Sequence, residues 1–375
     1  MVDHQKRPMM MVKCKEVTKV VVRQNEDYKA CVLHRPPSRS QSQSECYVIL
    51  MENSTYNFFI LTFTTQMKNK PLLSLFFILI YLTGVLANLT TITVIYRYQH
   101  LHTPMYLFLC NLSLVDLCYT TTSVPKLVHM FLSGDYTISF TQCFTQMYFF
   151  LHVATTEDLL LLIMAYDRYV AICNPLHYHC ILSKKNCVMF MVAVWVTGCI
   201  NSAFATLTSS AIPLYSNIVP QFFCEFKAFA KISCPNAGFQ LFSYMEAVIF
   251  GFGPFVCSIL SYIKVIIVIL HIKSSDRRTK AFSTCSSHLI VLTMFYGTWM
   301  IVYIIPPLKD PRVFEQTLSI LYATITPMLN PLIYTVRNKD VKRAIMKLVK
   351  QEQGQNFGFS SKFKPNASCS ESSDD

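Results

Sequence analysis

The sequence predicts an all-α membrane protein, a bundle of seven transmembrane helices, and three observations carry that prediction. Apolar residues make up 52% of the 375-residue chain and charged residues only 14%, against roughly a quarter charged in an ordinary soluble domain. The charges are segregated, leaving uncharged runs at Pro71 to Tyr96, Asn186 to Cys224, Ala281 to Leu308 and Gln316 to Val336. Each run is long enough to cross a bilayer as a helix of about 20 residues. Each is also far longer than the roughly ten-residue alternating segments of a membrane barrel.

Residues 1–50 contain nine Lys or Arg, five Asp or Glu and a Pro/Ser/Gln stretch from Pro36 to Ser44, without sustained periodicity. Such a segment is expected to be disordered. It lacks the apolar core of a signal peptide and is basic where an outside N-terminus would not be. Two readings stand: a mis-assigned start, or an extension with a trafficking role. Residues 51–70 open with Met51 and the sequon Asn53-Ser54-Thr55, whose glycosylation makes sense only on an extracellular segment. The sequons at Asn88 and Asn111 fall inside spans and should go unused.

The spans themselves occupy 71–337. Beyond the four uncharged runs, three more appear once isolated charges are tolerated: about Pro104 to Leu127 around Asp116, about Thr141 to Ile172 around Glu157 and Asp158, and about Gly238 to His271 around Glu246. Residues 338–350 are expected to form an amphipathic cytoplasmic helix. The Ser-rich stretch 351–375 is expected to be a disordered cytoplasmic tail. Lys and Arg concentrate after the first, third, fifth and seventh spans, as in Lys184, Lys185, Arg277, Arg278, Arg337 and Lys342, which places those connections in the cytoplasm and the N-terminus outside. Membrane topology therefore accounts for the net charge of +12. No aromatic-interleaved basic platform points to nucleic acid.

The third span ends Met164-Ala165-Tyr166-Asp167-Arg168-Tyr169-Val170-Ala171-Ile172-Cys173, followed by Asn174-Pro175-Leu176-His177-Tyr178. Leu101-His102-Thr103-Pro104-Met105-Tyr106 opens the second span, Lys280 to Leu289 (KAFSTCSSHL) opens the sixth, and Pro327-Met328-Leu329-Asn330-Pro331-Leu332-Ile333-Tyr334 closes the seventh. Together these resemble the odorant (olfactory) receptor branch of the rhodopsin-like G-protein-coupled receptors, over about Met51 to Lys350. The resemblance implies a plasma-membrane receptor that binds a small, mostly apolar odorant among its helices. It also implies partners: a stimulatory, olfactory-type G protein, through which cyclic AMP rises, and membrane lipids. Lys280 to Leu289 and Asn174 to Tyr178 match this branch rather than receptors for peptides or amines. A transporter would be favoured by paired broken helices in an internal repeat, and the sequence has no such repeat.

A guanidinium at a membrane boundary must pair or reach water, so the partner of Arg168 can report conformation. The resemblance makes Asp167 its resting partner, places Arg168 and Tyr169 at the G-protein face, and matches Tyr262 and Tyr334 to tyrosines that rearrange on activation. Asn88, Asp116 and Asn330 lie in three spans, where lone polar groups are costly, and should bond to one another or to water. Pro104, Pro254, Pro327 and Pro331 are either hinges or static bends.

Counting helical turns back from Arg168 puts Met147, Phe150, Leu151, Ala154 and Thr155 on the cavity face of the third span, and Tyr296, Trp299 and Tyr303 share a face of the sixth. Glu246 is the sharpest ligand clue, because a carboxylate within a span costs on the order of 3 kcal/mol. Either it faces the cavity and selects an amine or hydrogen-bond donor, or it is tied to neighbouring polar groups. An odorant of roughly ten heavy atoms should bind in about the tenth-millimolar range.

Most of the 15 cysteines lie within spans as small apolar residues. The resemblance pairs Cys143 with Cys224 in a disulfide over the cavity mouth. It also exposes a departure: Leu214 stands where the family usually has a loop cysteine, so Cys234 is expected to be partnerless. His100, His102, His177 and His179 belong to loop motifs without metal-ligand spacing. Cys285 and His288 lack the third group and oxyanion site that catalysis needs. No enzyme activity, cofactor or metal is expected.

Overall fold

The computed structural model describes residues 57–62, 69–214, 216–234, 236–304, 311–337, 340–348 and 350. The 1–50 extension, the Asn53 sequon and the 351–375 tail lie outside these. The chain begins with strand β1 (Asn57–Ile60), followed by helices α1 (Lys70–Arg97), α2 (Pro104–Ser133) and α3 (Phe140–Cys173), with strand β2 (Thr137–Ser139) between the last two. Helix α4 (Lys184–Ala211) follows a short helical segment, and strand β3 (Ile218–Val219) lies in the loop after it. Helix α5 spans Ala237–His271 and α6 spans Ser275–Ile304. Helix α7 consists of Pro311–Ile320, a π-turn Leu321–Ile325 and Thr326–Arg337. Residues 340–348 are also helical.

Helix ends follow local chemistry. Ser139 and Gln142 form a capping box that starts α3, Ser183 caps α4 and Asn236 caps α5, each oxygen taking up an orphan amide of the first turn. Gly134 stops α2 with φ 71°, the left-handed conformation that glycine adopts without a Cβ penalty. Asp135 then accepts the Thr137 amide at 2.9 Å and its hydroxyl at 2.7 Å. Those two bonds hold the exposed carboxyl below its ordinary pKa and turn the chain into β2.

Five of the described helices, α1 to α5, are long and apolar enough to cross a membrane; α6 and α7 complete the bundle. Large apolar side chains of α1, α4 and α5, such as Leu72, Leu86, Val192, Phe204, Leu241 and Ile263, remain exposed. A folded soluble domain leaves no such belt, whereas lipid is its natural solvent. Helix α3 is the hub, touching α2, α4, α5 and α6. It approaches α4 closely at Gly198, where an added Cβ would lie 2.5 Å from Thr156 Oγ1.

One end of the bundle carries a three-stranded sheet that the apolar runs did not announce. Strand β1 lies between β2 and β3, antiparallel to β2 with Phe58 opposite Ile138 and parallel to β3 with Ile60 opposite Val219. Phe58 and Ile60 point into the core and are fully buried, with the Phe58 ring against Phe140, Phe144 and Phe229. Gln316 of α7 donates to Leu61 O at 2.9 Å and Pro220 O at 3.0 Å, tying the sheet to the bundle.

The Cys143–Cys224 disulfide is present, with Cα atoms 5.4 Å apart. The expectation for Cys234 is corrected: it is disulfide-bonded. Its strand of loop is also held by backbone, with Leu214 bridged to Ser233 and the Cys234 amide donating to Pro213 O at 2.9 Å. Backbone pairing needs no particular side chain, so leucine at 214 does not loosen this part of the loop.

Candidate functional site

A cavity of about 200 Å³ lies beneath the sheet, smaller than the roughly 300–1,000 Å³ pockets that hold drug-sized ligands. Phe150, Leu151, Ala154, Thr155, Glu246 and Tyr296 line it. Met147 does not: it is fully buried in the apolar core at the sheet end. Next to it the Cys224 amide donates to Gln146 Oε1 at 3.1 Å, so the loop fixed at Cys143 and Gln146 covers this turn of α3. The side chains of Trp299 and Tyr303 lie outside those described.

Sequence reasoning missed the acidic part of the lining. Glu157 and Asp158 of α3, Glu225 of the loop and Glu315 of α7 join Glu246, together with the cation Lys227. The adjacent carboxylates Glu157 and Asp158 were a readable signal, since ionisable groups inside spans are rare without a role. Glu225 and Lys227 enter the lining because the long loop folds back over the bundle, and Glu315 because α7 lies against that loop, which no local pattern encodes.

Each polar group is held from a specific element. Asn201 of α4 donates to Glu246 Oε1 at 2.8 Å and to Thr155 Oγ1 at 3.1 Å, so Glu246 both faces the cavity and is tied to neighbours. Tyr296 donates to Asp158 Oδ1 at 2.7 Å, while Asp158 Oδ2 is buried without a partner among the described residues. At the loop, Tyr322 donates to Glu225 and Lys231 pairs with Glu315. Burial raises the Glu225 carboxyl above its ordinary pKa against the opposing Tyr322 hydroxyl, and burial lowers the Lys227 ammonium.

Below the cavity lies the polar network. Asn330 Nδ2 donates to Asp116 Oδ1 at 3.0 Å and reaches Glu157 Oε1 at 3.5 Å. Asn88 does not touch either partner; it donates to Gly84 O at 3.0 Å and, across to α7, to Pro327 O at 3.2 Å. Proline-associated breaks flank this region. A π-turn at Val248–Phe252 precedes Pro254 in α5, and the π-turn Leu321–Ile325 precedes Pro327 in α7. Such turns mark sites where a helix yields.

At the far end, Arg168 Nε donates to Asp167 Oδ2 at 2.8 Å, and the Tyr178 hydroxyl donates to Asp167 Oδ1 at 2.9 Å. Tyr169 lies beside them with the Lys264 ammonium over its ring. Tyr262 shares a 2.6 Å hydrogen bond with His288 of α6, and the fully buried Tyr334 hydroxyl has no partner among the described residues. The histidines are occupied locally: His102 contacts Tyr96 O and His177 contacts Asn174.

The structure is thus a membrane helix bundle with a small cavity toward one end and a buried Arg–Asp pair at the other. The profile of the olfactory receptor family matches residues 77–352. The chain is 41% identical to olfactory receptor 1468 of Rattus norvegicus over 80% of its own length and 96% of the relative's. It is 44% identical to human olfactory receptor 13C9 over 73% of its length and 90% of the relative's, and 40% identical to human olfactory receptor 2K2 over 78% and 93%. The chain belongs to the olfactory receptor family, whose members are receptors and not enzymes.

Proposed function

We propose that this protein is a plasma-membrane odorant receptor, N-terminus outside and C-terminus cytoplasmic, that binds a small, mostly apolar molecule in the cavity beneath the sheet. Binding activates a stimulatory, olfactory-type G protein at the Arg168 end and raises cyclic AMP. The observation that carries this reading is the run of α3: Phe150, Thr155 and Asp158 line the cavity, and the same helix presents the Asp167–Arg168 pair.

The closed pair, with Tyr178 on its second oxygen, corresponds to the resting arrangement. A ligand activates by binding the arrangement in which this pair is open better than the closed one, since equal affinity shifts nothing. The freed guanidinium, with Tyr262 and Tyr334 moving to it, then faces the G protein. In this topology Asn53 is extracellular and glycosylated.

The test is cyclic AMP in cells expressing the full chain with the olfactory G protein, across a chemically broad odorant panel. A dose-dependent response that disappears in Arg168→Ala, at equal surface labelling, is expected. Surface protein that stays silent to the whole panel would overturn the reading.

A further inference from the structure

We propose that the cavity takes a small organic cation, an amine on an apolar body, with the Asp158 carboxylate as its counter-ion. This inference rests on the receptor reading above and names its ligand class.

The lining contains five carboxylates, those of Glu157, Asp158, Glu225, Glu246 and Glu315, against the single ammonium of Lys227. Each of the five accepts from at least one donor: Asn330 for Glu157, Tyr296 for Asp158, Tyr322 for Glu225, Asn201 for Glu246 and Lys231 for Glu315. Asp158, 3% exposed, differs from the other four in having a buried oxygen without a partner among the described residues. Its Oδ1 accepts from Tyr296, and its Oδ2 accepts from no described residue. A buried carboxylate with an open lone pair carries an uncompensated desolvation cost. A charged N–H donor removes both parts of that cost at once, the missing hydrogen bond and the missing charge.

The surroundings favour a cation over other donors. Glu246 is linked through Asn201 to Thr155, and Thr155 and Asp158 are one turn apart on the same face of α3. Glu246 and Asp158 therefore flank one stretch of the cavity, where an ammonium gains from both. The Lys227 cation sits instead on the loop, where Glu225 and Glu315 act on it. Phe150, Leu151, Phe250 and Phe295 supply apolar wall for the ligand's hydrocarbon part. A carboxylic acid would meet like charge, and an alcohol would supply the hydrogen bond without the charge.

The test is thermal unfolding of the purified full-length receptor with hexylamine, cyclohexylamine and benzylamine, each against its alcohol and its carboxylic-acid counterpart. At least one amine is expected to raise the unfolding temperature where its counterparts do not. Asp158→Asn should raise that amine's half-saturating concentration about tenfold to a hundredfold, the range for a hydrogen bond to a charged group. Glu246→Gln should raise it by less, about threefold to tenfold, because its charge acts from farther away. It also serves as the probe should Asp158→Asn not fold.

Alcohols shifting as much as amines, no amine shifting at all, or amine affinity untouched by these variants would each overturn the proposal. Cyclic AMP separates the two readings. Amine-induced stabilisation without cyclic AMP overturns G-protein signalling and leaves the ligand class standing. Cyclic AMP from neutral odorants, with no amine stabilisation, overturns the ligand class alone.

Discussion

At the Arg168 end of the bundle buried charge is matched: Asp167 gives one carboxylate oxygen to Arg168 and the other to Tyr178. At the cavity end carboxylates outnumber ammonium groups, and Asp158 retains an oxygen with no described donor. The same helix carries both arrangements about three turns apart. A saturated pair resists change until something competes for its members, while an unsaturated carboxylate invites a ligand. Buried polar groups are stabilising only when complete, and this contrast is what the two proposed roles, a lock at one end and ligand binding at the other, rest on.

Breaking the lock should produce the largest effect. Arg168→Ala leaves a fully buried Asp167 without its cation, which costs about 3–5 kcal/mol. Thermal unfolding should fall accordingly and the agonist response should vanish. A variant that signals normally would show that the saturated pair is not the coupling element.

Cys224→Ser attacks the other end. The disulfide closes a separation of 81 residues, and its loss should cost about 2–5 kcal/mol. The unfolding temperature of the purified variant should fall accordingly, and ligand-induced stabilisation should shrink as the loop over the cavity loosens.

Tyr178→Phe sharpens the contrast by opening one oxygen of Asp167 while leaving Arg168 in place. A hydrogen bond to a charged group contributes about 1.5–3 kcal/mol. Basal cyclic AMP should rise about tenfold at equal surface expression, and an unchanged basal level would assign the lock to Arg168 alone.

Gly198→Ala probes the packing between the two ends. Its Cβ would press on Thr156 Oγ1 and on His152 O at 3.1 Å, an overpacking worth about 1–3 kcal/mol. Lowered unfolding temperature with an unaltered half-maximal agonist concentration is expected. A changed concentration would mean that α3 shifts against α4 when ligand binds.

The bundle was legible in the sequence because bilayer thickness imposes long apolar runs, and the Asp167–Arg168 pairing because the two residues are adjacent. The sheet was not, because β1 to β3 come from three distant segments and each is too short to show a period. Of the five α3 positions reached by counting turns, Phe150, Leu151, Ala154 and Thr155 line the cavity because α3 is unbroken, and Met147 does not because it is buried in the core. Counting is unreliable across α5 and α7, where each π-turn lengthens the local repeat and rotates later side chains about the axis. Glu225 needed the folded loop and Glu315 the packing of α7 against it, and Cys234 was misjudged because its bonding does not depend on a cysteine at position 214.

Strand β1 has a further consequence. It joins the segment before the first span edge to edge with β2 and β3 and pins it to α7 through Gln316, the neighbour of Glu315 in the cavity lining. What a ligand meets on the way in is therefore inherited from several separate stretches of the gene. Substitutions well outside the spans, at the fully buried Phe58 or Ile60 for instance, therefore act on the sheet end of the bundle although neither side chain lines the cavity.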